Sequence, residues 1–80
     1  MTREEVRAEL ALILKEILSI GDVALTDATT AKDFDTWDSL AHIDIILAVE
    51  EKFSVRITAT RASKLENVGE LIDLICEQKK

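Results

Sequence analysis

Eighty residues leave room for one domain and one core, and a chain this short buries only about 60% of the surface it would expose unfolded, which excludes a deep catalytic cleft. Ten basic against sixteen acidic residues give a net charge of −6, which argues against nucleic acid or an anionic membrane surface and towards protein partners rich in Lys and Arg. Cys76 is alone, so no internal disulfide can form, and neither a secretory apolar segment nor a run near the roughly 18 residues of a membrane span is present.

These features predict a single domain over residues 1–80, monomeric and held in a reducing, cytoplasmic setting. Two glycines, no proline and abundant Leu, Ile, Ala, Glu and Lys favour helices over a turn-rich β fold. The charge is regional: between Asp22 and Glu51 eight acids face Lys32 alone, a local balance of −7.

Thr2-Arg3-Glu4-Glu5 has the spacing of a capping box, so a helix is expected to start there. At 100° per residue Val6, Leu10, Ile13, Leu14, Ile17, Leu18 and Ile20 form one broad apolar stripe, predicting an amphipathic helix that ends near Gly21. From Gly21 to Trp37 the periodicity fades, with Val23, Leu25 and Phe34 as the anchors of a long, packed loop.

Asp38 and Ser39 are both good N-terminal residues for a second helix that runs to about Lys52. His42, Ile45, Ile46, Val49 and Phe53 fall on an arc expected to face the core. Leu40, Ile43 and Leu47 fall on a second arc beside it, fringed by Asp44 and Glu51 on one border and Glu50 on the other. An apolar strip edged by carboxylates is a candidate docking face. Val55 and Ile57 are expected core contacts after a turn. A short helical turn follows around Ala59 to Lys64, and Asn67 with Glu70 marks the start of a last helix whose stripe is Val68, Leu71, Ile72 and Ile75. The expected fold is therefore all-α, a four-helix bundle of three longer helices and one short third helix, with a long loop between the first two.

A catalytic constellation cannot be assembled from one His, one Cys and no Tyr, without a Gly-rich phosphate loop or paired-Cys motif, so no enzyme is expected. Asp33, Asp35 and Asp38 resemble part of a calcium loop, but Asp38 stands where that loop needs Gly and Trp37 where it needs an oxygen ligand, so no metal site is assigned. His42 is read as a packed or hydrogen-bonded histidine, Trp37 as a boundary packing residue and Cys76 as a half-buried small hydrophobe. Asp38-Ser39-Leu40 admits two readings: both polar residues simply cap a helix, or the Ser39 hydroxyl carries a phosphate-linked group. A helix N-terminus suits the second, since its unsatisfied amides and the positive end of the macrodipole favour a phosphodiester.

With Asp38-Ser39-Leu40 at mid-chain, Val49-Glu50-Glu51-Lys52-Phe53 closing the second helix, Ile57 beyond it and Asn67-Val68 with Leu71 and Ile75 in the last, the chain resembles the acyl carrier protein family over nearly all its length. The resemblance implies that Ser39 receives 4′-phosphopantetheine from coenzyme A through a Mg²⁺-dependent phosphopantetheinyl transferase, that Asp38 helps organise that step, and that the arm holds acyl intermediates as thioesters. Leu40, Asp44, Leu47 and Glu51 would then meet the transferase and the acyl-loading and acyl-processing enzymes through basic docking patches. Trp37 before the motif, Ala41-His42 after it, and Arg61 and Lys64 in the short helix depart from many fatty-acid carriers. They look more like stand-alone carriers of polyketide, peptide or other specialised pathways, so the expected pathway is fatty-acid, polyketide or related specialised biosynthesis. A peptidyl or aminoacyl carrier, or an unmodified acidic adaptor using the Leu40/Leu47 face, remains an alternative.

Overall fold

A computed structural model describes residues 2–22 and 24–79; the expected anchor Val23 lies outside them. Four α-helices, α1 (Arg3–Leu18), α2 (Ser39–Phe53), α3 (Ala59–Ser63) and α4 (Val68–Gln78), account for the regular structure, with one 3₁₀ turn at Ala31–Asp33. Helices α2 and α4 both pack against α1. The Cα radius of gyration is 11.4 Å, close to the roughly 11.6 Å expected of a well-packed 80-residue domain.

Each helix begins at a cap written in the sequence. Thr2 Oγ1 accepts from the Glu5 amide at 3.1 Å while Glu5 Oε1 accepts from the Thr2 amide at 3.0 Å, completing the expected capping box. The Thr2 amide, and after it the Thr2 hydroxyl, hold the Glu5 carboxyl below its ordinary pKa. Asp38 caps α2, Thr58 caps α3 and Asn67 caps α4. At α4 the capping is one-way among the described residues: Asn67 Oδ1 accepts from the Glu70 amide at 2.9 Å, without the return bond that its spacing to Glu70 suggests.

The core is a line of Val6, Leu10, Leu14 and Leu18 on α1 set against Ile45, Ile46, Val49 and Phe53 on α2 and Val68, Leu71, Ile72, Leu74 and Ile75 on α4. Leu25, Val55, Ile57 and Ala62 close it from the loops and from α3. Ile13 and Ile17, which belong to the expected apolar stripe, lie only half-buried on the rim of the core. The reason is geometric: the stripe of α1 is wider than the cleft between α2 and α4, so its i, i+4 row from Val6 enters and the flanking residues remain at the lips.

Helix α1 ends earlier than Gly21. Ser19 adopts the left-handed conformation (φ 54°, ψ 45°) and its amide bonds back to the Lys15 carbonyl; Ser54 ends α2 in the same way at φ 55°. The long loop then runs back along the bundle and is pinned to α4. The Thr29 carbonyl accepts from the Val68 amide at 2.8 Å and the Asp27 carbonyl from the Gly69 amide at 3.0 Å. With Glu70 bonded to Asn67, the first three amides of α4 are satisfied from outside the helix. Asp27 also receives Arg7 and Arg3, each at 2.7 Å, and these guanidinium bonds hold its carboxyl below the usual range; Arg3 reaches Asp73 on α4 as well. Among the described residues no helix is long and apolar enough to cross a membrane.

Candidate functional site

The long loop delivers the chain to the start of α2 at Asp38-Ser39-Leu40. The Asp38 backbone is extended (φ −102°, ψ −171°), and its Oδ1 folds over the helix end to accept from the Ala41 amide at 2.8 Å. Its carbonyl accepts the His42 amide at 2.9 Å as the first helical bond. That leaves the amides of Ser39 and Leu40 without a protein partner among the described residues, on an exposed surface. Ser39 is the first helical residue and is itself exposed, so its hydroxyl stands beside two free N–H groups at the positive end of a helix of 15 residues. The contrast with α4 is direct, because there the same three amide positions are consumed by the loop and by Asn67.

One turn into α2, His42 packs inwards. The Trp37 indole N–H donates to His42 Nδ1 at 3.2 Å. An indole nitrogen can only donate, so the imidazole proton sits on Nε2 and is given to the Ala62 carbonyl at 3.0 Å. Phe34, Trp37 and His42 stack in series, with ring centroids 6.2 and 6.1 Å apart. His42 is thus hydrogen-bonded and Trp37 packs at the boundary of the core, and the two are joined by a bond that the sequence does not predict. Its signal is a five-residue spacing across the helix start, which neither helical nor extended periodicity picks out.

The face of α2 beyond Ser39 carries Leu40, Ile43 and Leu47 at 74%, 55% and 57% exposure, three of the four large exposed apolar side chains among the described residues. Asp44 and Glu51 are exposed beside them. Glu50, expected to edge the same strip, instead turns back so that Oε2 accepts from the Ile57 amide at 3.0 Å, which fixes the turn between α2 and α3. Asp33 Oδ2 accepts from the Thr30 amide and Asp38 caps α2, so two of the three loop aspartates serve the backbone. Cys76 is half-buried against the core.

Residues 8–75 match the family described as "Phosphopantetheine attachment site". The chain belongs to the acyl carrier protein family. It is 32% identical over 75 residues to the acyl carrier protein of Acidothermus cellulolyticus, covering 94% of this chain and 89% of that one, and 31% identical to that of Chloroherpeton thalassium over the full length of both. The solution structure of a holo acyl carrier protein from Geobacter metallireducens superposes with a TM-score of 0.82 at 32% identity, covering 90% of this chain and 83% of that one. The carrier is accordingly a four-helix, non-catalytic protein whose prosthetic group is a covalently attached phosphopantetheine. Membership implies a phosphopantetheinyl transferase and acyl-processing enzymes as its partners.

Proposed function

We propose that Ser39 is the residue to which 4′-phosphopantetheine is attached, and that the protein presents acyl groups, held as thioesters on that arm, to the enzymes of a specialised pathway. The observation that carries this reading is the pair of free, exposed amides at Ser39 and Leu40 beside an exposed hydroxyl at a helix start. A phosphodiester there accepts hydrogen bonds from backbone that water alone otherwise serves, and it gains from the helix dipole. When bound, the arm supplies a thiol whose thioester activates the acyl carbonyl.

Asp38 has two tasks in this reading. One oxygen holds the helix end in shape, and the other is bonded to no protein group among the described residues, which leaves it available to help organise the transferase step at Ser39. Leu40 and Leu47 offer apolar contact to the transferase and client enzymes, with Asp44 and Glu51 steering their basic patches. The Trp37–His42 pair, absent from the pattern of many fatty-acid carriers, supports a specialised pathway.

The test is incubation with coenzyme A, Mg²⁺ and a permissive phosphopantetheinyl transferase, read by intact mass. The wild type is expected to gain one phosphopantetheinyl group and Ser39→Ala none. Ser39 is exposed and its side chain caps no amide among the described residues, so the substitution should leave stability within about 0.5 kcal/mol of wild type. Arm uptake by Ser39→Ala, or none by the wild type with several transferases, would refute the assignment.

A further inference from the structure

Three hollows meet at one side chain. The first is a shallow depression beside Ser39, bounded by Trp37, Ala62, Ser63 and Leu65. The second is an apolar groove of about 310 Å³ between α2 and α3, lined by Ile43, Ile46, Leu47, Ile57 and Ala59. The third is a small inner cavity of about 40 Å³ beneath Trp37, reaching Leu65, Val68 and Leu71 at the start of α4. The groove and the inner cavity share a single lining residue, His42, and His42 also borders the depression beside Ser39.

We propose that His42 is a specificity-determining divider: its imidazole confines an attached acyl chain to the groove between α2 and α3 and bars it from the interior between α2 and α4. The inference deepens the assignment of Ser39 and rests on it. An alkyl chain tethered near these hollows is drawn to apolar surface, because burial removes its methylenes from water. The groove has the volume and the lining for it, whereas the inner cavity holds little more than water-sized contents until its wall moves. That wall is fixed at both ends, by the Trp37 indole at Nδ1 and the Ala62 carbonyl at Nε2. Swinging the ring aside would break both bonds at once, leaving an indole N–H and a backbone carbonyl unpaired in a half-buried place. Cargo beyond the length of the groove therefore gains nothing from further methylenes.

The experiment loads the protein from acetyl-, butyryl-, hexanoyl-, octanoyl- and dodecanoyl-coenzyme A with a permissive transferase. Each product is checked by intact mass and followed by methyl ¹H–¹³C spectra and melting temperature. In the wild type the methyl signals of Ile43, Ile46, Leu47 and Ile57 are expected to shift progressively with chain length while those of Leu65, Val68 and Leu71 stay in place. The melting temperature should rise and then level off. In His42→Ala the shifts should spread to Val68 and Leu71, and the levelling should move to longer chains. Wild-type shifts at Val68 and Leu71 as large as those at Ile46, or a levelling point unchanged in His42→Ala, overturn the proposal. The wild-type series decides the matter by itself if His42→Ala does not fold. Failure of the wild type to load overturns the Ser39 assignment, whereas loading without the expected methyl pattern overturns the role of His42 alone.

Discussion

Gly69 and Ser54 put opposite demands on a side chain. A Cβ at Gly69 would stand 2.8 Å from the Asp27 Cβ and 2.9 Å from the Asp27 carbonyl oxygen, the atom that accepts the Gly69 amide. The loop carrying Asp27 would have to withdraw from α4, so Gly69→Ala is expected to cost about 1–3 kcal/mol by overpacking. Ser54 has a side chain where the backbone would do better without one. Its left-handed φ of 55° is a conformation that L-residues enter at a cost of about 1–2 kcal/mol, and Ser54→Gly removes that cost while giving the unfolded chain some extra freedom. The net expectation is a gain of about 0.5–1 kcal/mol, since the two effects differ by that much. Urea melts of both variants check the pair: a neutral Gly69→Ala or a destabilised Ser54→Gly would contradict this account of the two positions.

At the scale of the helix, register decides which apolar residues matter. Leu14 is 1% exposed and Leu12, two residues away, is 60% exposed. Leu14→Ala should cost about 2–5 kcal/mol and Leu12→Ala less than about 0.5 kcal/mol. Phe53→Ala, at the foot of α2 and 3% exposed, should cost about 3–5 kcal/mol. A cooperative thermal melt unmoved by Leu14→Ala would refute the packing of α1. The existence and order of the helices were legible because the caps at Thr2, Asp38 and Asn67 and the 3.6-residue stripes are local features. What was not legible depended on neighbours. Ile13 and Ile17 belong to the stripe of α1, but the width of the cleft between α2 and α4 excludes them from its centre. Gly21 is the obvious place to end a helix, yet Ser19 ends it, because the left-handed turn there directs Ile20 back to the core rim. Glu50 has the spacing of a surface acid and is diverted by the Ile57 amide, a partner seven residues on that no periodicity relates to it. Around Ser39 the motif marked the helix start, whereas the Trp37–His42–Ala62 chain needed α3 in place before it could be read.

The whole molecule concentrates its negative charge where the candidate site lies. Of the net −6, the segment from Asp22 to Glu51 carries −7, while the segment from Lys52 to Lys80 carries +2. The fold then sorts these acids by use. Asp27 is consumed by Arg3 and Arg7 and Asp22 is paired with Lys15 at 2.6 Å, the lysine holding the Asp22 carboxyl below its ordinary pKa. Glu50 is bound to backbone. Asp44 and Glu51 make no ion pair among the described residues and flank the exposed Leu40, Ile43 and Leu47. A rim of free carboxylates around an apolar strip gives two separable contributions to binding. The charges act over about 8–10 Å at ordinary ionic strength and raise the rate of encounter with a basic partner, while the apolar contacts act only once the surfaces touch. Asp44→Lys or Glu51→Lys is therefore expected to slow phosphopantetheinylation, most strongly at low salt, with an unchanged melting temperature. Leu47→Ala should leave association with the transferase nearly unchanged and speed dissociation, at every salt concentration. The bland alternative is that these acids only solvate an exposed helix face, and it predicts equal rates for all variants across the salt series. Stopped-flow association with the transferase from low to high salt separates the two. Charge-reversal curves that converge on the wild type as salt rises support docking through α2, and curves that coincide throughout would place the partner on another face, even with Ser39 established as the attachment residue.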